Sequence, residues 1–456
     1  MNRTSLLLTV AAVLAVVALF AQGGRPPVPS GPVSSTPPTP RPTTATPSST
    51  LSFTAASPHR VLSTTGGDAW AIIDVTAAVR DVPHQPVSLA VVVDVSGSMM
   101  GRKMEEAKRA ARSLVEQLGD GDELTLVAFS DSARRLDLRR MSAAGRSDAL
   151  SFIQSLRPEG STNISDGLAA GEEALLGAIG QRRLVLVSDG QPTSGITDRA
   201  ELNRLAGAAH ERGITVTAIG VGNDFDATLM RGMAQWGGGV YGDLRQAEAL
   251  EVVLADELRQ ARRPLARNVT LRFRPGTRVQ VVSAAGRVVQ QGLDGPQVRL
   301  PDFGSGATAR VLVKLYQGGG LGAVDLVNPR LEWTNADGSA EAVEARLTVP
   351  LTGDVAQVQS TRDEALYADV ARAFGNEQMM LAAEAMERGD RSNALALLDR
   401  ARALFGTSAD TLAGEEAVLK TKSIEWKKSD YDARNESKDM MRKTLKTFGE
   451  TNNAFY

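Results

Sequence analysis

Four short runs that are apolar almost throughout, at 86–94 (PVSLAVVVD), 123–129 (ELTLVAF), 183–188 (RLVLVS) and 215–221 (TVTAIGV), alternate with stretches of helical period. A strand that is apolar on both sides must be covered on both faces, and a helix returning the chain after each strand supplies that cover. The first helix, 103–118, places Met104, Ala107, Ala111, Leu114, Val115 and Leu118 on one side, and further helices are expected around 147–156, 164–178, 199–212 and 246–259. Strand and helix in alternation describe a mainly parallel sheet wrapped on both faces, a doubly wound, Rossmann-like α/β domain over 86–261.

A chain of 456 residues exceeds one hydrophobic core, and at about 100–200 residues per domain it should hold further units. After Pro264 the helical pattern stops. Strands are expected at 268–273, 278–282, 297–300, 309–316, 325–334 and 342–349, separated by Pro-Gly, Gly-Gly and Asp-Gly turns. An earlier strand, 69–77, has no partner of its own. Pairing 51–85 with 262–355 makes the α/β domain an insertion in a β-sandwich, a placement that surface loops tolerate. From 361 to 448 the chain reads as a small α-helical C-terminal domain, and 382–404 resembles one tetratricopeptide-type hairpin without a second copy at the usual ~34-residue period. Its Lys-rich end, 420–446, also carries Asp and Glu and reads as a solvated helix face; 449–456 is a tail.

The N-terminal residues 1–23 carry Arg3, an apolar run over 6–21 and the small pair Ala21 and Gly23, the pattern of an export signal. As a helix that run would reach about 24 Å, short of the ~30 Å hydrocarbon core, which favours a cleaved signal peptide over a signal anchor. Residues 24–50, rich in Pro, Ser and Thr, cannot bury enough apolar surface to fold and form a linker. If the segment is retained, the linker would hold the domains up to about 80 Å from the membrane it anchors in. The expected location is therefore outside the cytoplasm, in a periplasm or at a cell surface. A formal charge of −2 gives no bias toward nucleic acid, and the absence of cysteine leaves metal binding to oxygen or to three histidines.

Ligands of an open α/β sheet bind beyond the carboxyl ends of its strands. There the chain reads D-V-S-G-S, so that Asp94, Ser96 and Ser98 present three oxygens from one turn. A magnesium-type cation takes about six oxygens at ~2.1 Å and usually keeps waters, so this turn is half a shell. Thr162, in GSTNISDG, and Asp189, in LVLVSDGQPTSG, stand at a helix start and a strand end on the same sheet edge. Taken singly, Ser98 and Asn163 read as helix caps, Asp166 as a first-turn carboxylate and Asp189-Gly190 as a turn.

Together, D-V-S-G-S, G-S-T-N and L-V-S-D-G resemble the von Willebrand factor type A domain with its metal-ion-dependent adhesion site. The resemblance implies metal binding by Asp94, Ser96, Ser98, Thr162 and Asp189. The two serines and the threonine would ligate Mg2+ directly, with Mn2+ or Ca2+ as substitutes, and the aspartates would act largely through water. The open position would take a carboxylate oxygen from an Asp or Glu of a protein partner. Around it, Met99 and Met100 either form an adaptable apolar rim or pack inward, and Arg102 and Lys103 either steer an acidic partner or sit on solvated helix surface. The flanking β-region looks like that of bacterial secreted proteins that carry this domain and, more distantly, like inter-α-trypsin inhibitor heavy chains.

The expected function is an extracytoplasmic, metal-dependent protein-binding or adhesion module, not an enzyme, and with no nucleic-acid partner. A scaffold subunit of an envelope complex, docking through the helical region, is the alternative. A metal-assisted hydrolase is the weaker one: no G-x-S-x-G elbow or P-loop occurs, and His59, His84 and His210 have no motif around them.

Overall fold

The structure, a computed structural model, describes residues 43–44, 50–222, 225–244, 250–292 and 294–406. The 1–23 signal, nearly all of the 24–50 linker, the helical stretch beyond 406 with its Lys-rich face, and the 449–456 tail lie outside the described residues. Among the described residues no helix is long and apolar enough to cross a membrane.

Six strands, β1 (Val87–Asp94), β2 (Glu123–Phe129), β3 (Ala133–Arg140), β4 (Gln181–Ser188), β5 (Ile214–Val221) and β6 (Gly238–Leu244), form one sheet in the order β6-β5-β4-β1-β2-β3. All pair in parallel except β3, which runs antiparallel to β2. Every residue of β1 and of β5 is buried. The helices that bury them are α1 (Arg102–Gln117), α2 (Ala143–Ser155), α3 (Ile164–Leu175), α4 (Arg199–Glu211), α5 (Ala227–Trp236) and α6 (Leu250–Arg262). Side chains of β1 alternate between two cores. Leu89 and Val91 share one core with Met104 and Leu114 of α1 and Leu254 and Leu258 of α6, whereas Ala90 and Val92 share the other with Leu168 of α3, Leu202 of α4 and Met230 of α5.

Three elements, β3, α5 and β6, were not expected from the pattern. In β3 the sequence is ARRLDLRR, with half of its positions arginine and no apolar run. It nevertheless pairs with β2 through the backbone, helped by the Thr125 hydroxyl, which donates to the Leu136 carbonyl at 2.6 Å. Positive charge along a terminal strand also discourages pairing with a further chain. Helix α3 lies close on the sheet because Gly167 and Gly171 face it: a Cβ at either would come within 2.7–2.8 Å of Phe129 or Val92. That close seat fixes the start of α3, where Thr162 and Asn163 stand.

Strands from both sides of the α/β segment combine in two further sheets. Gly67–Ala77 lies between Leu51–Ala56 and Thr308–Gln317, pairing with the latter from Gly67 opposite Gln317 to Thr76 opposite Thr308. The second sheet is built around Ala266–Pro275 and Ala323–Asn335, and the short strand Leu62–Ser63 joins it against Leu351–Thr352. Phe53, Ile73 and Val75 of the first sheet share one core with Leu271, Phe273 and Trp333 of the second. The strand expected at 342–349 is two strands, Ala340–Glu344 and Leu347–Thr352. The break falls where the Ala345 N–H turns to the Pro329 carbonyl at 3.1 Å.

Helices Glu364–Glu387 and Arg391–Gly406 form a hairpin. The first places Val370, Ala373 and Phe374 on the outer face of the first sheet against Ile72 and Leu312. Ile72 and Ile73 therefore serve opposite faces, which explains why both are apolar in adjacent positions of the strand. His59 stacks on Trp70 at 5.5 Å and meets Tyr367 of this helix edge-on at 5.6 Å. Burial, reinforced by Arg362 and opposed by Glu364, lowers the His59 pKa to about 4. A folded pKa below the unfolded ~6.5 means that its stabilisation is present above pH 6.5 and is lost as pH falls toward 4. Thermal unfolding should show a loss of about 2–3 kcal/mol over that window from this group, and the loss should flatten in His59→Phe; an unchanged acid branch in that variant would refute the assignment.

Candidate metal centre

The carboxyl ends of β1 and β4 lie side by side, and two aspartates stand there fully buried, Asp94 and Asp189. Asp94 is fixed by its neighbours. Its Oδ1 accepts from the Ser96 N–H at 2.8 Å and its Oδ2 accepts from the Ser188 hydroxyl. Burial raises its pKa; hydrogen bonds from Ser188 and Ser96 oppose the rise, and the charge of Asp189 adds to it. After Ser96 the chain makes a single 3-10 turn, Gly97–Met99, before α1 begins behind Gly101 at φ 80°. Met99 is fully buried and anchors that turn, and the Gly97 N–H donates to the Gly160 carbonyl at 3.2 Å.

The turn brings the predicted donors together. Ser96 Oγ and Ser98 Oγ lie 3.0 Å apart, and Ser98 Oγ donates to Asp189 Oδ1 at 2.7 Å. Thr162 belongs to the same cluster, because the position a Cβ on Gly190 would occupy is 3.3 Å from Thr162 Oγ1 and 3.6 Å from Ser98 Oγ. A side chain there would press on the Thr162 hydroxyl and touch that of Ser98. Thr162 is held from behind: its N–H donates to Thr193 Oγ1 at 2.9 Å, and its carbonyl accepts from the Thr193 N–H at 3.0 Å. Asp94, Ser96, Thr162 and Asp189 are buried, while Ser98 is exposed, so the cluster opens to solvent on the Ser98 side.

The neighbouring residues do structural work. Asn163 caps α3, its Oδ1 accepting from the Asp166 N–H at 3.2 Å, and Asp166 itself accepts from the Ala133 N–H. Asp131 accepts from the Ser161 N–H at 3.0 Å and from its hydroxyl, which hold the Asp131 carboxyl below its usual pKa. Met100 is 72% exposed beside the cluster, whereas Met99 is core. Two pairings were not read from the sequence. Ser188 sits in a strand whose pattern reads only as apolar, and Lys103, expected to steer or to be solvated, pairs with Asp189.

The donor set is oxygen only, two carboxylates and three hydroxyls. Among the described residues no group of three or more His, Asp or Glu is placed to hold a metal. A cluster poor in carboxylates suits a hard divalent ion that keeps an exchangeable position, and the Lys103 ammonium on Asp189 shows that this carboxylate draws a cation.

Residues 88–251 match the von Willebrand factor type A domain family, and the chain carries such a domain, a class that is often a metal-dependent protein-interaction module. Inter-alpha-trypsin inhibitor heavy chain H4 of Sus scrofa is 28% identical over 206 residues, covering 43% of this chain and 22% of that protein. The uncharacterized protein YfbK of Escherichia coli (strain K12) is 27% identical over 264 residues, covering 56% of this chain and 46% of that one. The chain thus spans about a fifth of the length of the heavy chain it matches. Among solved structures, a von Willebrand factor type A protein from Catenulispora acidiphila superposes with a TM-score of 0.63 at 20% identity, covering 81% of this chain and 90% of that one. The ArnB paralog VWA2 from Sulfolobus acidocaldarius gives a TM-score of 0.57 at 15% identity over 87% and 98%. These two likenesses show a shared fold.

Proposed function

We propose that this chain is a metal-dependent protein-binding module without enzymatic activity, in which Asp94, Ser96, Ser98, Thr162 and Asp189 form a metal-ion-dependent adhesion site for Mg2+. One observation carries the reading: the exposed Ser98 hydroxyl lies 3.0 Å from Ser96 Oγ and 2.7 Å from Asp189 Oδ1, with Thr162 Oγ1 beside the same point. Ser96, Ser98 and Thr162 would hold the ion directly, and Asp94 and Asp189 would orient them and supply the negative charge. A bound divalent cation supplies a Lewis-acidic position that takes a carboxylate oxygen. The chain's own contribution is to hold neutral hydroxyls there, which leaves positive charge unneutralised, and to open the site toward an Asp or Glu side chain of a protein partner. Met100 offers an apolar contact at the rim.

In the domain reading that accompanies this proposal, residues 51–85 and 262–355 form one β-sandwich that receives the 86–261 domain, and the helical region from 361 forms a separate cap. Pairing of Gly67–Ala77 with Thr308–Gln317 across the α/β segment supports it. An exported location, periplasmic or at a cell surface, accords with the 1–23 signal pattern and with a domain class whose members are often extracellular or secreted.

The test is capture of partners from native envelope material on the immobilised chain with roughly millimolar MgCl2 or with EDTA. Partners that bind with magnesium and elute with EDTA are the expected result; partners retained equally in both would overturn the proposal and favour docking through the helical region.

A further inference from the structure

Lys103 lies in the first turn of α1, where the helix dipole disfavours a cation. Its placement has a specific cause. The ammonium donates to Asp189 Oδ2 and lies 3.3 Å from the Ser98 carbonyl, while the other oxygen of the same carboxylate accepts from Ser98 Oγ at 2.7 Å. The Asp189 side chain is wholly buried, whereas that of Lys103 is 29% exposed, so the lysine enters from solvent and ends on a buried charge. Its stem passes Gly222, where a Cβ would come 3.0 Å from Cε and 3.4 Å from Nζ. Asp94 and Asp189, two buried carboxylates at adjacent strand ends, repel each other, and a cation on either one offsets that repulsion.

We propose that Lys103 is a tethered counter-ion of the site: its ammonium neutralises Asp189 when no divalent ion is bound, so that metal entry exchanges one cation for another and Lys103 sets the metal affinity. This rests on the metal-centre reading above. A divalent ion brings two positive charges to the lysine's one, but it must first displace the lysine, which lowers the apparent metal affinity. Without the metal the fold keeps its own cation and avoids two uncompensated buried charges. Because the side chain is partly exposed, it can swing outward when the metal arrives without any rearrangement of α1.

Calorimetric titration of MnCl2 into the full chain tests this with the parent, Lys103→Met and Asp94→Ala, with Lys103→Gln in reserve if the methionine variant fails to fold. Lys103→Met should bind Mn2+ about tenfold more tightly, equivalent to ~1.4 kcal/mol. In EDTA it should also melt below the parent, and the rise in melting temperature on adding Mn2+ should be larger than the parent's. Equal or weaker Mn2+ binding by Lys103→Met, with binding by the parent and none by Asp94→Ala, would overturn the counter-ion role and leave the metal centre standing. Absence of binding by both the parent and Lys103→Met would overturn both.

Discussion

Asp94→Ala should lose the rise in melting temperature that Mg2+ confers on the parent chain, with affinity lowered by about 100-fold or more. The expectation follows from what Asp94 touches. Its two oxygens accept from the Ser96 backbone and the Ser188 hydroxyl, so it sets the turn that points Ser96 and Ser98 at one another and contributes a charge beneath them. Alanine removes both. The metal-free fold should not suffer in proportion. Burial raises the Asp94 pKa above its unfolded value, so its contribution to stability is greatest in acid and is lost as pH rises through the folded pKa. A carboxylate whose charged form burial disfavours is a liability without a metal, and Asp94→Ala in EDTA should melt no lower than the parent. A variant that keeps the full magnesium shift would contradict the role.

The largest loss of stability should come from Arg183→Ala, at about 3–5 kcal/mol in urea denaturation. Arg183 sits on β4 with its side chain 5% exposed, pairs with Asp302 at 2.6 Å and lies 3.7 Å from Glu257 of α6. Both carboxylates are themselves under 9% exposed. Burial raises the Glu257 pKa, with Arg183 pulling the other way. Removing the guanidinium therefore strands two buried acids from different parts of the chain, one on the α/β helix and one in the strand region after it. Neutralising them in the triple variant Arg183→Met, Glu257→Gln, Asp302→Asn should recover most of the loss, since the penalty lies in uncompensated charge. A single variant within 1 kcal/mol of the parent would refute the network's importance.

The α/β architecture was legible because β1, β2, β4 and β5 each carry a run that is apolar almost throughout, a pattern few arrangements other than a doubly covered parallel sheet accommodate. The gathering of Asp94, Ser96, Ser98, Thr162 and Asp189, the donors we propose, was legible because each stands at a strand end or helix start, and sheet direction places such ends on one edge. What could not be read is equally specific. β3 is held by backbone pairing to β2 under four arginines, so its side chains carry no strand signal. Ser188 reads as the polar end of an apolar run, and only the parallel register of β1 and β4 sets it against Asp94. Lys103 has the spacing of a solvated first-turn residue; its pairing with Asp189 depends on an open route past Gly222, which belongs to a different strand end.

The most direct measurement is a crystal structure of the chain soaked in MnCl2, with the anomalous signal of manganese located relative to the three hydroxyls. One manganese about 2.2 Å from Ser96 Oγ, Ser98 Oγ and Thr162 Oγ1 together is the result this account predicts. A manganese bound elsewhere, with that cluster still closed on the Lys103 ammonium at saturating metal, would contradict it.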